Sequence, residues 1–176
     1  MIRCAHIFVL GAVFLLAAPA FSQQIPPTHV STLAGSRLVL PEPAGSRPLI
    51  VLVTFSHKGS DDAVVWNKDF KVPYETDRRV DYAELADFQG VPSFVMKMIL
   101  HGMRRSVQEP EKSHLGLLYS DEDGWKKLVG FRDPDITYVV VAAPDGHVVW
   151  QTKGPATGVK AAALEDAIAH LLLPRS

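Results

Sequence analysis

An unbroken run of apolar and β-branched residues at positions 49–55 constrains the fold more than any other feature of the sequence. The run does not alternate between apolar and polar residues, so a strand formed by it would be covered on both faces. Such a strand belongs in the middle of a parallel or mixed sheet that has helices packed on each side. We therefore expect an α/β domain built around residues 49–55.

Residues 1–22 have the pattern of a secretory signal peptide. Arg3 precedes an apolar run at 7–18, and small residues around Ala20 provide a cleavage point. The run is shorter than the roughly 20 residues that span a bilayer, which makes retention as an anchor the less favoured alternative. We expect a periplasmic or secreted protein with no stable membrane span after cleavage, and a membrane-anchored one if the signal is not cleaved.

The only cysteine of the chain, Cys4, lies within this predicted signal. Its removal would leave no thiol, which excludes disulfide bonds, thiolate catalysis and thiol–disulfide exchange in the mature protein. Seven histidines are scattered without metal-site spacing, so we expect neither a metal nor another cofactor. The 18 Lys and Arg nearly balance the 19 Asp and Glu, which argues against a nucleic-acid partner.

Predicted strands and helices alternate along the rest of the chain. Residues 23–47 read as a polar lead with an entry strand at 37–41, and residues 48–176 as the main domain. After the central strand, Ser60 is predicted to cap a helix that runs to about Lys71. The remaining predicted elements are strands at 80–85, 115–119, 138–142 and 147–151, and helices at 92–105, 121–128 and 159–173. The Asp145-Gly146 turn between the last two strands is a strong hairpin signal.

This order of elements resembles the thioredoxin-like superfamily. The resemblance implies a central mixed β-sheet with helices on both faces, and a C-terminal β-hairpin followed by a helix. Redox-active members carry Cys-x-x-Cys in the loop after the central strand, where residues 55–63 of this chain have serine and acidic residues instead. The proline that usually precedes the hairpin strand is also missing, because Asp135-Ile136 precedes Thr137. The resemblance therefore indicates a redox-inactive member of the superfamily and not a thiol–disulfide oxidoreductase.

The former redox-motif position contains four polar residues that two interpretations explain. They are His57, Lys58, Ser60 and Asp61. As a polar site at a helix N-terminus, they would serve an enzyme or a small-ligand-binding protein. As a solvated loop with a helix cap, they would have no chemistry of their own. The second interpretation is favoured, since no further base or ligand residue is spaced nearby.

Basic residues share one face of the helix predicted at 92–105, and we call them the basic ridge: Lys97, His101, Arg104 and Arg105. The apolar side of the same helix is expected to include Met98 or Ile99. The ridge is either an ordinary solvated face or a site for an acidic protein surface or a phosphate-bearing group, which arginine can hold through two hydrogen bonds.

A narrower resemblance rests on the Gly-Met-Arg-Arg run that ends at Arg105 and on the Asp145-Gly146 hairpin with Trp150 and Gly154. These residues resemble the mitochondrial ATP synthase assembly factor family. That resemblance implies a chaperone-like role, in which the protein binds a membrane-complex subunit during assembly without catalysing a reaction. The predicted secretory signal departs from the family's location. The sequence thus predicts an extracytoplasmic binding or assembly factor with a protein partner, and its basic ridge as the partner-binding site.

Overall fold

The structure is a computed structural model that describes residues 23–42, 47–68, 74 and 77–173. The predicted signal peptide at 1–22 lies outside the described residues. Within them the strands are β1 (Thr28–Thr32), β2 (Arg37–Leu40), β3 (Leu49–Thr54), β4 (Asp81–Asp87), β5 (Leu115–Leu118), β6 (Tyr138–Ala142) and β7 (Val148–Lys153). The helices are α1 (His57–Trp66), α2 (Ser93–Ser106), α3 (Glu109–Lys112), α4 (Glu122–Leu128) and α5 (Gly158–Leu172).

The strands form one mixed sheet in the order β2-β1-β5-β4-β3-β6-β7. Strand β3 pairs parallel to β4, and β4 parallel to β5, whereas β6 and β7 run antiparallel beside β3 as a hairpin. Strand β1 joins the other side of the sheet by antiparallel pairing with β5. The predicted central mixed sheet and C-terminal hairpin with its helix are confirmed.

Strand β3 lies in the middle of the sheet and is covered on both of its faces. All of its residues are buried, as the absence of alternation predicts. Val51 and Val53 belong to one core cluster, which includes Trp125 of α4. Ile50 and Leu52 point the other way, into a cluster that includes Trp66 of α1. Helices α1 and α4 therefore pack on opposite faces of the central strand.

The hairpin of β1 and β2 extends the sheet, and only its second strand was predicted. The sequence of β1 contains polar residues, which led to its interpretation as part of a polar lead. Thr28 is nevertheless 1% exposed, because its hydroxyl accepts a hydrogen bond from the Trp125 indole at 2.9 Å. Gly116 of β5 lets this hairpin approach closely, since a Cβ there would lie 2.8 Å from Val30. The N-terminal hairpin thus shares its packing with the rest of the sheet.

The described chain is attached to the sheet from its first residues. The backbone oxygen of Gln23 accepts a hydrogen bond from the Val148 amide, and the Ile25 amide donates to the Gly146 oxygen. Ile25 itself is 3% exposed within the core. Gly146 adopts a φ of 84° at the hairpin turn, a conformation that glycine tolerates best. The segment that follows the predicted cleavage point is therefore part of the folded body.

The predicted helices agree with the structure to within a few residues, with two differences; the predicted end of the first helix, near Lys71, lies outside the described residues. Helix α1 starts three residues before its predicted cap, as described below, and α3 was not predicted at all. A helix this short leaves no apolar periodicity in the sequence. None of the helices in the described ranges has the length and apolar character that a bilayer crossing demands.

Candidate functional site

The candidate site lies where the parallel strands β3, β4 and β5 end. Ligands of open α/β sheets usually bind beyond the carboxyl ends of such strands. Here Phe55 follows β3, Asp87 ends β4, and Tyr119 follows β5. The loops that leave these strands lead into α1, α2 and α4, so all three helices begin near the same edge of the sheet.

The first of these helices is capped by Ser56 rather than by Ser60 as predicted. The Ser56 hydroxyl accepts a hydrogen bond from the Gly59 amide at 3.0 Å, which satisfies a free donor of the first helical turn. Ser60 lies inside the helix, where its hydroxyl donates to the Ser56 carbonyl. Serine or aspartate, the residue types that cap helices, stands at position 56 and at positions 60–62. The backbone conformation selects Ser56 among them.

The start of α1 is held against the segment that leads into β6. The Thr137 hydroxyl donates to the Gly59 carbonyl at 2.7 Å, and the Ser56 hydroxyl donates to Asp135 at 3.0 Å. Gly59 has no room for a side chain, because a Cβ would lie 2.9 Å from the Pro134 oxygen. Backbone, hydroxyl and carboxylate groups thus fix the start of α1 against the segment before β6.

The remaining loop residues predicted as candidates are open to solvent. Lys58 forms an exposed ion pair with Asp135 at 3.3 Å. The hydrogen bond from Ser56 and the Lys58 charge lower the pKa of the Asp135 carboxyl. His57 and Asp61 are exposed, and within the described residues no hydrogen bond joins them. The structure therefore does not bring His57, Lys58 and Asp61 together as an acid–base group.

A carboxyl pair at the same edge was not found by sequence reasoning. Burial, reinforced by a hydrogen bond with Glu122, raises the pKa of Asp87 to about 7. The hydrogen bond from Asp87 and an ion pair with Lys126 at 2.8 Å lower the pKa of Glu122. Below about pH 7 the pair thus shares a proton, with Asp87 as the donor and Glu122 as the acceptor. The two residues are far apart in sequence, so only the parallel pairing of β4 and β5 brings them together.

Lys126, which pairs with Glu122, also lies beside two aromatic side chains. Its ammonium nitrogen lies 5.0 Å from the ring centre of Phe131 and 5.7 Å from that of Phe55. The two rings meet edge to face at 4.9 Å, and Phe55 also packs against Tyr138. The cation is thereby held between Glu122 and the aromatic rings, which fixes the start of α4 beside the end of β3.

The shared proton predicts how stability changes with pH. The pKa of Asp87 is higher in the folded protein than the ordinary pKa of an aspartate, so the folded state binds a proton that the unfolded state releases. The free energy of unfolding should therefore fall as pH rises from about 5 to 8. Asp87→Asn removes this titration and should reduce the fall by about 1 kcal/mol in urea unfolding at the two pH values.

An exposed carboxylate on another helix provides the control for this prediction. Asp166→Asn on α5 should leave the fall between pH 5 and pH 8 unchanged, because Asp166 is solvated. An Asp87→Asn protein that loses as much stability as the wild type over this range would contradict the shared proton.

The predicted basic ridge lies on the outer side of α2. Lys97, His101, Arg104 and Arg105 are all exposed. The inner side of the helix packs on a third core cluster, which includes Phe88 of β4; the packed residues of α2 are Met96, Ile99, Leu100 and Met103. Ile99, and not Met98, therefore faces the sheet. Met98 is 70% exposed and lies among the basic residues.

A cavity of about 370 Å³ lies at the opposite end of the parallel strands. Its walls include Leu49 at the start of β3 and Asp81 at the start of β4. Asp81 pairs with Arg47 at 2.7 Å, while burial raises the pKa of its carboxyl group. Among the described residues, no group of three or more His, Cys, Asp or Glu side chains is arranged to hold a metal ion.

Comparison with known proteins gives structural matches only. No family model and no curated protein matches the sequence. A putative protein disulfide isomerase from Bacteroides thetaiotaomicron is similar with a TM-score of 0.61 and 18% identity, over 86% of this chain and 89% of that one. BsSco, a member of the Sco family of cytochrome c oxidase assembly proteins, gives a TM-score of 0.58 and 11% identity, over 88% of this chain and 96% of that one. The exposed lipoprotein thioredoxin Etrx1 of Streptococcus pneumoniae gives 0.56 and 12%, over 81% and 98%.

These matches define the class of the protein: the chain has the thioredoxin-like fold, as its sequence predicted. Identities below 20% extend the likeness no further than the fold. The narrower resemblance to the mitochondrial ATP synthase assembly factors receives no support from them. Cys4 remains the only sulfur nucleophile of a chain whose structural relatives include thiol–disulfide proteins, which is compatible with redox inactivity.

Proposed function

We propose that this protein binds a protein partner and does not exchange disulfides. The observation that carries the proposal is the start of α1. There Ser56 and Gly59 are engaged by Asp135 and Thr137, and no sulfur atom is present. A serine hydroxyl has a pKa far above that of a thiol, so it cannot form the thiolate that disulfide exchange requires. The fold remains available as a scaffold for binding.

The basic ridge is our proposed contact site for the partner. Its residues are exposed on a helix that no other described element covers on that side, and Arg104 and Arg105 can each hold a carboxylate through two hydrogen bonds. The protein partner, its contact with the ridge and the redox inactivity are parts of one proposal.

An extracytoplasmic location and a role in assembly complete the proposal. The signal-like residues 1–22 and an exposed lipoprotein among the structural relatives support export. The Sco relative is described as a member of a family of assembly proteins, and the Gly-Met-Arg-Arg run resembles a second family of that kind. A subunit of a membrane complex is therefore the partner that we would test first.

An enzyme or small-ligand-binding protein that uses the His57, Lys58 and Asp61 loop is the competing function. It requires these side chains to act on one bound molecule. Lys58 is paired with Asp135, and His57 and Asp61 point into solvent without a mutual hydrogen bond in the described structure. This arrangement supports the binding function instead.

Two measurements on the purified protein test the proposal. In insulin reduction by dithiothreitol, the protein should not accelerate precipitation above the rate without it. In a pull-down from solubilised membranes, a His101→Ala, Arg104→Ala, Arg105→Ala variant should lose the partner that the wild type recovers. The matched control, Arg132→Ala with Lys153→Ala, removes exposed cations elsewhere and should retain it.

Three results would each contradict a different part of the proposal. Accelerated insulin reduction would show a redox protein. A partner recovered equally by the ridge variant would remove the basic ridge from the binding site, and the absence of any partner of the wild type would overturn the binding function.

A further inference from the structure

The outer side of α2 combines apolar and basic residues, and we call these six residues the α2 face: Phe94, Lys97, Met98, His101, Arg104 and Arg105. Phe94 is 76% exposed and Met98 70% exposed, the largest exposures of aromatic or sulfur-containing side chains in the described residues. With 100° between successive residues, Phe94, Met98, His101 and Arg105 lie within about 60° of one another around the helix axis. Lys97 and Arg104 lie beside them, both on the same side. Exposed apolar and basic side chains thus share a face that is turned away from the protein's own core.

The cations of the α2 face have no acidic partners among the described residues. Helix α2 contains no Asp or Glu. None of the ion pairs of the described residues involves Lys97, Arg104 or Arg105, whereas Lys58 and Lys126 each have a carboxylate partner. Although the chain has a net charge of −1, one helix therefore carries a basic patch that no carboxylate of the described ranges neutralises.

The α2 face continues towards the carboxyl edge of the sheet. Tyr119, at the end of β5, is 41% exposed and packs beside Phe88. Arg104 is close enough to Tyr119 to act on its phenol electrostatically. The surface that a partner could cover therefore joins α2 to the edge at which α1 and α4 also begin.

We propose that the α2 face binds an acidic amphipathic helix of a partner protein, whose apolar side chains cover Phe94 and Met98 and whose carboxylates pair with Lys97, Arg104 and Arg105. This inference rests on the proposed function, because it names the chemistry of the partner that binds the basic ridge. Phe94 and Arg105 are separated by about 16 Å along the helix axis, which corresponds to three turns of a partner helix. Apolar anchors surrounded by complementary charges are typical of such contacts.

The number of cations favours a protein over a membrane as the occupant. Basic segments that bind anionic lipid usually contain four to eight Lys or Arg, each contributing about 1 kcal/mol. The α2 face has only three Lys or Arg residues. Three cations on a helix are instead matched by the carboxylates that an acidic helix presents at i, i+3 and i+4 positions.

Fluorescence anisotropy with a defined peptide tests this inference. The probe is a labelled three-turn peptide with two leucines four residues apart and glutamates on both sides of them. The wild-type chain should bind it, and Arg104→Gln with Arg105→Gln, or Phe94→Ser with Met98→Ser, should each weaken binding at least about tenfold. Peptides with Glu→Gln or Leu→Ser changes should lose binding to the same extent.

Matched variants separate a binding defect from a folding defect. Val159→Ser removes another exposed apolar side chain, 82% exposed at the start of α5, and Lys153→Gln removes a distant cation. Both should bind the peptide as the wild type does. Thermal unfolding should be nearly unchanged in the α2 variants, because the replaced side chains are exposed.

Three results would overturn the inference. The first is a wild-type affinity for the acidic peptide no greater than for its Glu→Gln form. The second is a wild-type chain that binds phosphatidylglycerol vesicles but not the peptide, with vesicle binding lost in the α2 variants. The occupant of the α2 face is then a membrane. The third is a dimer in sedimentation that Phe94→Ser dissociates, which makes a second copy the occupant. If the peptide fails while the pull-down still recovers a partner, the inference falls and the proposed function stands.

Discussion

Replacement of Trp125 by alanine is expected to lower the free energy of unfolding by about 3–5 kcal/mol, which is the usual cost of removing a buried large aromatic side chain. Trp125 is fully buried in the core cluster on one face of β3. Its indole also donates a hydrogen bond to Thr28, so the change leaves a buried hydroxyl without this partner. Urea unfolding followed by circular dichroism measures the loss.

Two related variants divide this effect into its parts. Trp125→Phe keeps most of the volume and should cost about 1–2 kcal/mol, mainly through the lost hydrogen bond. Trp150→Ala, on a half-buried side chain of β7, should cost less than Trp125→Ala. A loss below 1 kcal/mol for Trp125→Ala would contradict the packing of α4 between β3 and the N-terminal hairpin.

Replacement of Gly59 by alanine is expected to destabilise the protein by about 1–3 kcal/mol. Alanine in a helix normally gains up to about 1 kcal/mol over glycine. At Gly59 this gain is outweighed, because the new Cβ would approach the backbone oxygens of Pro134 and Ile136 to 2.9 and 3.2 Å. Backbone atoms cannot move aside as a flexible side chain can, so the start of α1 or the segment before β6 has to shift.

A glycine-to-alanine substitution in a helix should instead raise the free energy of unfolding where the new Cβ has room. Gly102 lies in α2, and a Cβ built on it meets no atom within 4 Å. Gly102→Ala should therefore stabilise the protein by about 0.5–1 kcal/mol. Equal effects of the two substitutions in thermal unfolding would show that the contact between Gly59 and the segment before β6 is not tight.

The fold was predictable because its central elements have strong local signals. The run at 49–55 lacks alternation and is buried on both faces, and Asp145-Gly146 marks the hairpin turn. Strand β1 was not predicted, because the burial of Thr28 depends on a hydrogen bond from a residue 97 positions away. Polar residues that are buried through such distant partners carry no periodic signal in the sequence.

The candidate site was predictable only in part. The absence of thiols from the described residues and the basic ridge follow from residue types and helical spacing. The cap at Ser56, the contact of Gly59 with the segment before β6, and the pairing of Asp87 with Glu122 depend on how strands and loops meet. The exposure of Met98 depends on which side of α2 packs on Phe88, a choice that apolar residues on both sides of the helix leave open.

If the protein is exported and cleaved after Ser22, as proposed above, the hydrogen bonds of Gln23 and Ile25 to the hairpin would affect the order of cleavage and folding. A peptidase that cuts after Ser22 needs several residues on each side of the bond in an extended form, yet the chain beyond Ser22 enters the sheet at once. Cleavage by the peptidase and the pairing of residues 23–25 with the hairpin would therefore compete for the same segment. Cleavage after Ser22 would therefore have to come first, while the polypeptide is still emerging from the translocation channel. Folding before cleavage would protect the bond from the peptidase.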